Sequence, residues 1–198
     1  MTQHPTAETS VPASDAAEPL GRHVALLGLM GTGKTVVGAQ LASALGVRFD
    51  DNDSRLAAAS GLTPRELRNR DGVVALHSSE AEQLLGALRS PVPGVVSAAA
   101  SVVEDGPCRA ALRRPEILAI WLRVEPSTLA ARFHREAHRP IYSDELRGFF
   151  ESQLAARAPL YQEVSDSVIA TDGLTVAQVV DTLLPIVDRH LSATLRSA

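Results

Sequence analysis

Residues able to handle a phosphoryl group fall in three places along this chain. The first is Gly28-Leu29-Met30-Gly31-Thr32-Gly33-Lys34-Thr35, which fits the pattern G-x-x-x-x-G-K-[ST]. Glycines at 28, 31 and 33 let the backbone curl, so that the N–H groups running through Thr32 and Gly33 turn inward toward phosphate oxygens. A helix opening just after them would present its positive dipole end to the same anion. Lys34 would add a mobile charge on the β and γ phosphates of ATP, and the Thr35 hydroxyl can ligate Mg2+. Lys34 is the only lysine in the chain, so nothing else of its kind could stand in. The second place is the acidic pair Asp51-Asn52-Asp53. The third is a basic run over residues 132–139, with a further arginine in Arg157-Ala158-Pro159-Leu160-Tyr161.

The elements that must carry these residues alternate between strand and helix. Residues 23–28 (HVALLG) form a short, almost wholly apolar run, as expected of a strand buried on both faces of a parallel sheet. A helix over 35–45 repeats Val37, Leu41 and Leu45 on one face and stops at Gly46. A second strand over 47–50 ends in the acids. Short helices over 54–59 and 64–69 follow, the latter with Thr63 as N-cap. A longer helix spans 73–88, with Val73, His77, Glu80 and Leu84 on one face. Strands at 95–98, 117–124 and 167–171 and helices at 127–134, 144–156 and 176–190 complete the pattern. Five strands separated by helices give a doubly wound α/β domain with a five-stranded parallel sheet.

Composition narrows the partners. With 198 residues and 45% apolar content, the chain has the size of one domain with tails. Residues 1–20 are rich in Pro, Ala, Ser, Thr and Glu and have little to bury, so they read as a disordered tail. The domain then occupies 21–190, and 191–198 form a flexible end. A net charge of −4 gives no footprint for nucleic acid. No stretch reaches the length needed to span a membrane, and the N-terminus lacks the basic start and apolar run of a secretory signal. One cysteine, Cys108, excludes an internal disulfide and fits a reducing, cytoplasmic setting.

Taken in order, these residues resemble the shikimate kinase family, in the nucleoside-monophosphate-kinase-like branch of P-loop folds with a short lid. The likeness covers residues 23–187. After the phosphate loop the family has V-G-x-x-L-A-x-x-L-G, and this chain reads Val37-Gly38-Ala39-Gln40-Leu41-Ala42-Ser43-Ala44-Leu45-Gly46. The family's D-x-D is similar to Asp51-Asn52-Asp53. Its R-P-L-L lid motif is similar to Arg139-Pro140-Ile141-Tyr142, and its R-x-P-L-Y to residues 157–161. The ending Ala170-Thr171-Asp172-Gly173 matches more loosely. The resemblance implies that Asp51 holds Mg2+ through water, and that Asp53 binds the acceptor hydroxyl and helps remove its proton. It also implies that Arg132 lies along the adenine, that Arg139 meets the transferring phosphoryl, and that Arg157 grips the substrate carboxylate. It suggests a monomer. The residues alone leave other readings open: Asp53 as a helix cap, Arg132 and Arg135 as a solvated helix face.

Two acceptor motifs depart from the family. Its F-R-x-x-E, whose arginine meets the substrate carboxylate, reads Leu76-His77-Ser78-Ser79-Glu80 here. An imidazole cannot make the bidentate contact. His77 is then a repurposed substrate contact, a partner of Glu80, or a residue without a role. The family's G-G-G loop reads Ala99-Ala100-Ser101, and each added Cβ narrows the approach to the substrate ring. Losing one charged contact is worth about 1.5–3 kcal/mol. Arg65, Arg68 and Arg70 are the nearby cations that could compensate. The expected activity is ATP-dependent phosphorylation of a small-molecule hydroxyl, with shikimate as the default acceptor. The alternatives are a kinase of a related polyol or cyclitol, an inactive ATP-binding relative, and a nucleoside monophosphate kinase, for which no base pocket is evident.

Overall fold

A computed structural model describes residues 22–136 and 143–195. Strand β1 (His23–Leu27) is buried along its length and lies at the centre of the sheet. It pairs in parallel with β3 (Gly94–Ser97) on one side and β4 (Ile117–Arg123) on the other. The edges are β2 (Arg48–Asp51), beside β3, and β5 (Ser167–Ala170), beside β4, giving the order β2-β3-β1-β4-β5. In register, Val24 stands between Val95 and Leu118. Both faces of this sheet are covered, which is why its central strands read as unbroken apolar runs.

One face packs Leu26, Leu118 and Ile120 against Val37 and Leu41 of α1 (Lys34–Leu45) and Leu183 of α7 (Val176–Leu195). The other packs Leu27, Val96 and Trp121 against Leu84 of α3 (Pro64–Leu88), Leu129 of α5 (Pro126–Glu136) and Tyr161 of α6 (Ser143–Val164). The Trp121 and Tyr161 rings stack with centroids 5.3 Å apart. The five expected strands are all present, each within a residue of its expected ends. Among the described residues no helix is long and apolar enough to cross a membrane.

The helices differ from expectation in ways that matter for the site. Helix α2 (Asn52–Ser60) begins before residue 54, because Asp51 caps it by accepting from the Ser54 amide at 3.1 Å. The helices expected over 64–69 and 73–88 are one element, α3, bent at Gly72, where φ is 87° and ψ 173°. Thr63 caps it as expected, in a reciprocal box with Glu66. A 3-10 turn (Val102–Glu104) and α4 (Gly106–Leu112) fill a stretch with no predicted element, being too short to show a period. Helix α6 runs through Pro159 to Val164 rather than ending at 156, since Tyr161 and Val164 must reach the core. Helix α7 continues past residue 190 to Leu195. The expected tail over 1–20 and the lid motif with Arg139 lie outside the described residues.

Candidate active site

The loop between β1 and α1 takes the curled path the glycines allow. Gly31 and Gly33 have φ of 77° and 90°, in the left-handed region that side chains disfavour. A Cβ on Gly31 would stand 2.6 Å from the Phe133 ring, so α5 also closes over this loop. Thr32 is buried and donates its hydroxyl to the Leu29 carbonyl at 2.9 Å, bracing the turn. Gly28 opens the loop with φ 142°. Lys34 folds back across it: its Nζ donates to the Gly28 and Leu29 carbonyls, both at 2.9 Å. Burial pushes the Lys34 amine down to about 8, against the pull of Asp53, Asp51 and Glu80. Arg132, on α5, donates to the Gly31 carbonyl at 2.9 Å and so stands over the loop from the β4 side.

The end of β2 brings the acids to the same place. Thr35 donates its hydroxyl to Asp51 Oδ1 at 2.9 Å, so two oxygens that could share a divalent ion lie beside the phosphate loop. Asp53 sits one residue into α2 and faces the cavity. Desolvation there raises its carboxyl above the usual range, and the neighbouring Asp51 adds to this while Lys34 opposes it. Asp51, not Asp53, is the cap of α2, which leaves the Asp53 carboxylate available. Between them Asn52 is buried, 2% exposed, and neither polar atom of its amide has a partner.

Most of these groups open into one cavity of about 890 Å3. Lys34, Thr35, Asp51 and Asp53 line one part of it, and His77, Glu80, Ala99, Ala100, Ser101 and Arg157 line another. The volume is that of a site for a small ligand and the phosphates of a second. Of the predicted residues with described side chains, all but Gly28, Thr32 and Arg132 line this space; Gly28 and Thr32 shape the loop, and Arg132 reaches it from outside. Arg139 lies outside the described residues.

The acceptor side differs from the simplest expectation. His77 does not pair with Glu80; its Nδ1 lies 3.7 Å from Glu104 Oε2. The Glu80 carboxylate is instead buried and accepts from the Ser101 hydroxyl, and burial lifts it above the usual carboxylate range. Arg157, 8% exposed, has its Nε 3.0 Å from Glu104 Oε1, an ion pair without hydrogen-bond alignment, and its Nη1 donates to Gln153 Oε1. The Tyr161 hydroxyl, one turn along α6, donates to the Ala100 carbonyl at 2.9 Å and fixes the loop after β3. Of the nearby cations, Arg65 and Arg68 line the cavity, whereas Arg70 pairs with Asp71 away from it. Glu104 and Gln153 escaped the sequence reading. Glu104 sits on the unpredicted 3-10 turn, and nothing local marks it as the partner of a residue more than fifty positions away.

A phosphate loop, an acid pair beside it and a second wall of polar side chains facing one cavity are the parts a small-molecule kinase needs, and the wider comparison agrees. The family model described as "Shikimate kinase" matches residues 30–188. The shikimate kinase of Ralstonia nicotianae is 34% identical over 163 residues, covering 82% of this chain and 85% of that protein. That of Rhizobium meliloti is 32% identical over 180 residues, covering 90% and 93%. The crystal structure of the Bacteroides thetaiotaomicron shikimate kinase superposes with a TM-score of 0.76 at 25% identity, covering 84% of this chain and 98% of that one. The expected family and fold are thus borne out, and this chain is an ATP-dependent small-molecule kinase that belongs to the shikimate kinase family.

Proposed function

We propose that the protein transfers the γ-phosphoryl group of ATP to a hydroxyl of a small polyhydroxylated acceptor, with shikimate, for which its relatives are named, as the reference compound. The observation that carries this reading is that Lys34, Thr35 and the two aspartates share one cavity with His77, Ser101 and Arg157. Gly28, Gly31, Thr32 and Gly33 would turn their amides to the phosphates, and Lys34 would leave its two loop carbonyls for the β and γ oxygens. Arg132 would flank the adenine, and Arg139 would meet the transferring group from the lid. Mg2+ would lie against the Thr35 hydroxyl and, through water, Asp51, and would draw charge off the phosphate oxygens. Among the described residues no cluster of three acids or histidines could hold a metal alone, which suits an ion bound largely by phosphate and water.

Asp53 would orient the acceptor hydroxyl. As the oxygen bonds to the γ phosphorus, the bond to the β–γ bridging oxygen breaks, ADP leaves, and the hydroxyl proton passes to the Asp53 carboxylate. A carboxyl whose affinity for protons is already raised by its setting suits that role. His77, Ala99, Ala100 and Arg157 would contact the acceptor ring. The replaced arginine and glycines favour a second reading within the same chemistry, a related cyclitol or polyol as acceptor. A monomer in a reducing cytoplasm is the setting we assign.

Asp53→Asn tests the reading. ATP binding should persist within about twofold while kcat falls by about 100-fold or more, since the lost interaction is with the reacting hydroxyl. Collapse of nucleotide affinity with an unchanged rate per bound complex would make Asp53 a metal-side residue instead.

A further inference from the structure

An acceptor that carries a carboxylate needs cations to receive it, and position 77 does not supply a strong one. The His77 imidazole cannot match a carboxylate as a guanidinium fork does, and its Nδ1 lies 3.7 Å from Glu104. Arg157 is a buried guanidinium on the α6 wall, with Nη1 already donating to Gln153. A second fork of donors is present, in the first stretch of α3. Arg65 and Arg68 stand three residues apart, on one side of that helix, and both line the cavity.

Their surroundings leave both arginines uncommitted. The two acids of the same stretch are taken: Glu66 closes the cap with Thr63, and Asp71 accepts from Arg70 at 2.8 and 2.7 Å. Among the described residues neither Arg65 nor Arg68 makes a hydrogen bond or an ion pair. The local fold also sets them beside the acceptor groups. Leu67 and Leu76 are buried together against Leu56 of α2, so the stretches that bear Arg68 and His77, each the next residue along, meet at one small core. Asp53 lies one turn before Leu56 on α2 and lines the same cavity. Two guanidinium groups without a counter-charge, opening on the space that Asp53, His77 and Arg157 share, suit a bound carboxylate.

We propose that Arg65 and Arg68 are specificity-determining residues that hold the acceptor's carboxylate from the α3 wall, with Arg157 on the α6 wall. The acceptor is then a polyhydroxylated acid, even without an arginine at position 77. This rests on the kinase reading above and names further residues that bind its acceptor. Neither arginine takes part in the transfer itself.

The test compares shikimate with its uncharged carboxamide by calorimetry in the presence of ADP, so that turnover plays no part. Wild type should bind the acid more tightly than the amide. The double variant Arg65→Gln, Arg68→Gln should lower the acid-to-amide affinity ratio by about tenfold or more, with amide and ADP affinities nearly unchanged. Arg70→Gln, which removes a charge from the same stretch but one already paired with Asp71, should leave the ratio alone. Both sites are exposed, and thermal melting establishes that each variant folds. A wild-type preference for the acid that survives in the double variant overturns the proposal while leaving the kinase reading intact. An equal fall in the ratio on Arg70→Gln overturns it too, because a diffuse field and not a contact would then be responsible. Loss of ADP affinity at a constant ratio would make the arginines nucleotide contacts, and the proposal wrong. Wild type binding acid and amide alike refutes it in favour of an uncharged acceptor. Failure of both compounds to bind while ADP binds normally would sink the acceptor reading, and this proposal with it.

Discussion

Replacing Tyr161 by phenylalanine takes one oxygen atom out of the wall behind the acceptor cavity. The ring is fully buried and stacked on Trp121, and phenylalanine keeps that face and nearly all of its volume. What goes is the hydrogen bond to the Ala100 carbonyl at 2.9 Å. A carbonyl left without its donor in a buried setting costs about 1–3 kcal/mol. Ala100 is only half-buried, so water can reach part of the gap, and about 1–1.5 kcal/mol is the better figure. For a chain of this size that lowers Tm by about 2–6 °C. The same bond holds the Ala99–Ala100–Ser101 loop against α6, so part of the loss should surface as a looser acceptor wall. Acceptor KM should rise about three- to tenfold. The KM for ATP should move by less than about twofold, because the phosphate loop is braced by its own contacts. Scanning calorimetry and steady-state kinetics on the two proteins decide it. Equal rises in both KM values would mean that the mutation loosens the whole core. No change in either Tm or acceptor KM would mean that the bond does not hold the loop at all.

Two further outcomes follow from the titrating groups. Because burial holds the Lys34 amine at about 8 in the free protein, it is neutral above that pH, and phosphate binding must restore its proton. Proton uptake on ADP binding, measured calorimetrically in buffers of different ionisation enthalpy, should climb through pH 8 toward about one proton by pH 9.5, and affinity should weaken over the same window; no uptake across that range would place Lys34 outside the binding event. Cys108 is fully buried, and its thiol is pushed up to about 12 by burial first and by Asp105 second. A disulfide reagent at pH 8 should therefore label the folded protein far more slowly than the chain in denaturant, and rapid stoichiometric labelling of the native state would contradict the buried placement.

What could be read from residues alone follows a physical division. The phosphate loop, the Thr63 cap and the stop at Gly46 are local, each set by a few neighbours, and the structure has the cap and the stop where they were expected. The central strands β1, β3 and β4 were legible because a sheet covered on both faces demands unbroken apolar runs there. Helix α4 and the turn before it were not, since seven residues cannot display a 3.6-residue period against noise. The acceptor wall was legible only as an anomaly. His77 and Ser101 stood out against the family pattern, yet the contacts they make, with Glu104 and with Glu80, depend on tertiary approach. The extension of α6 beyond 156 was hidden by Pro159, which argues locally for an ending that Tyr161 overrides through the core.

The strand order has a consequence for how such a protein can change over generations. Elements that follow β2 and β3 (helix α2, helix α3 and the Ala99–Ser101 loop) lie on one flank of β1, while Arg132 comes from the helix after β4 on the other. Substitutions on α3 and the Ala99–Ser101 loop, away from the Asp51 that meets Thr35, can therefore accumulate with little disturbance to the grip on nucleotide, while α6 reaches that wall from the other side through Tyr161 and Arg157. Acceptor choice and phosphate handling are in this sense separately heritable. A lineage can keep its energy donor fixed and explore new alcohols one wall residue at a time, and an engineer who exchanged the segment from α3 through the 3-10 turn would be following the same seam.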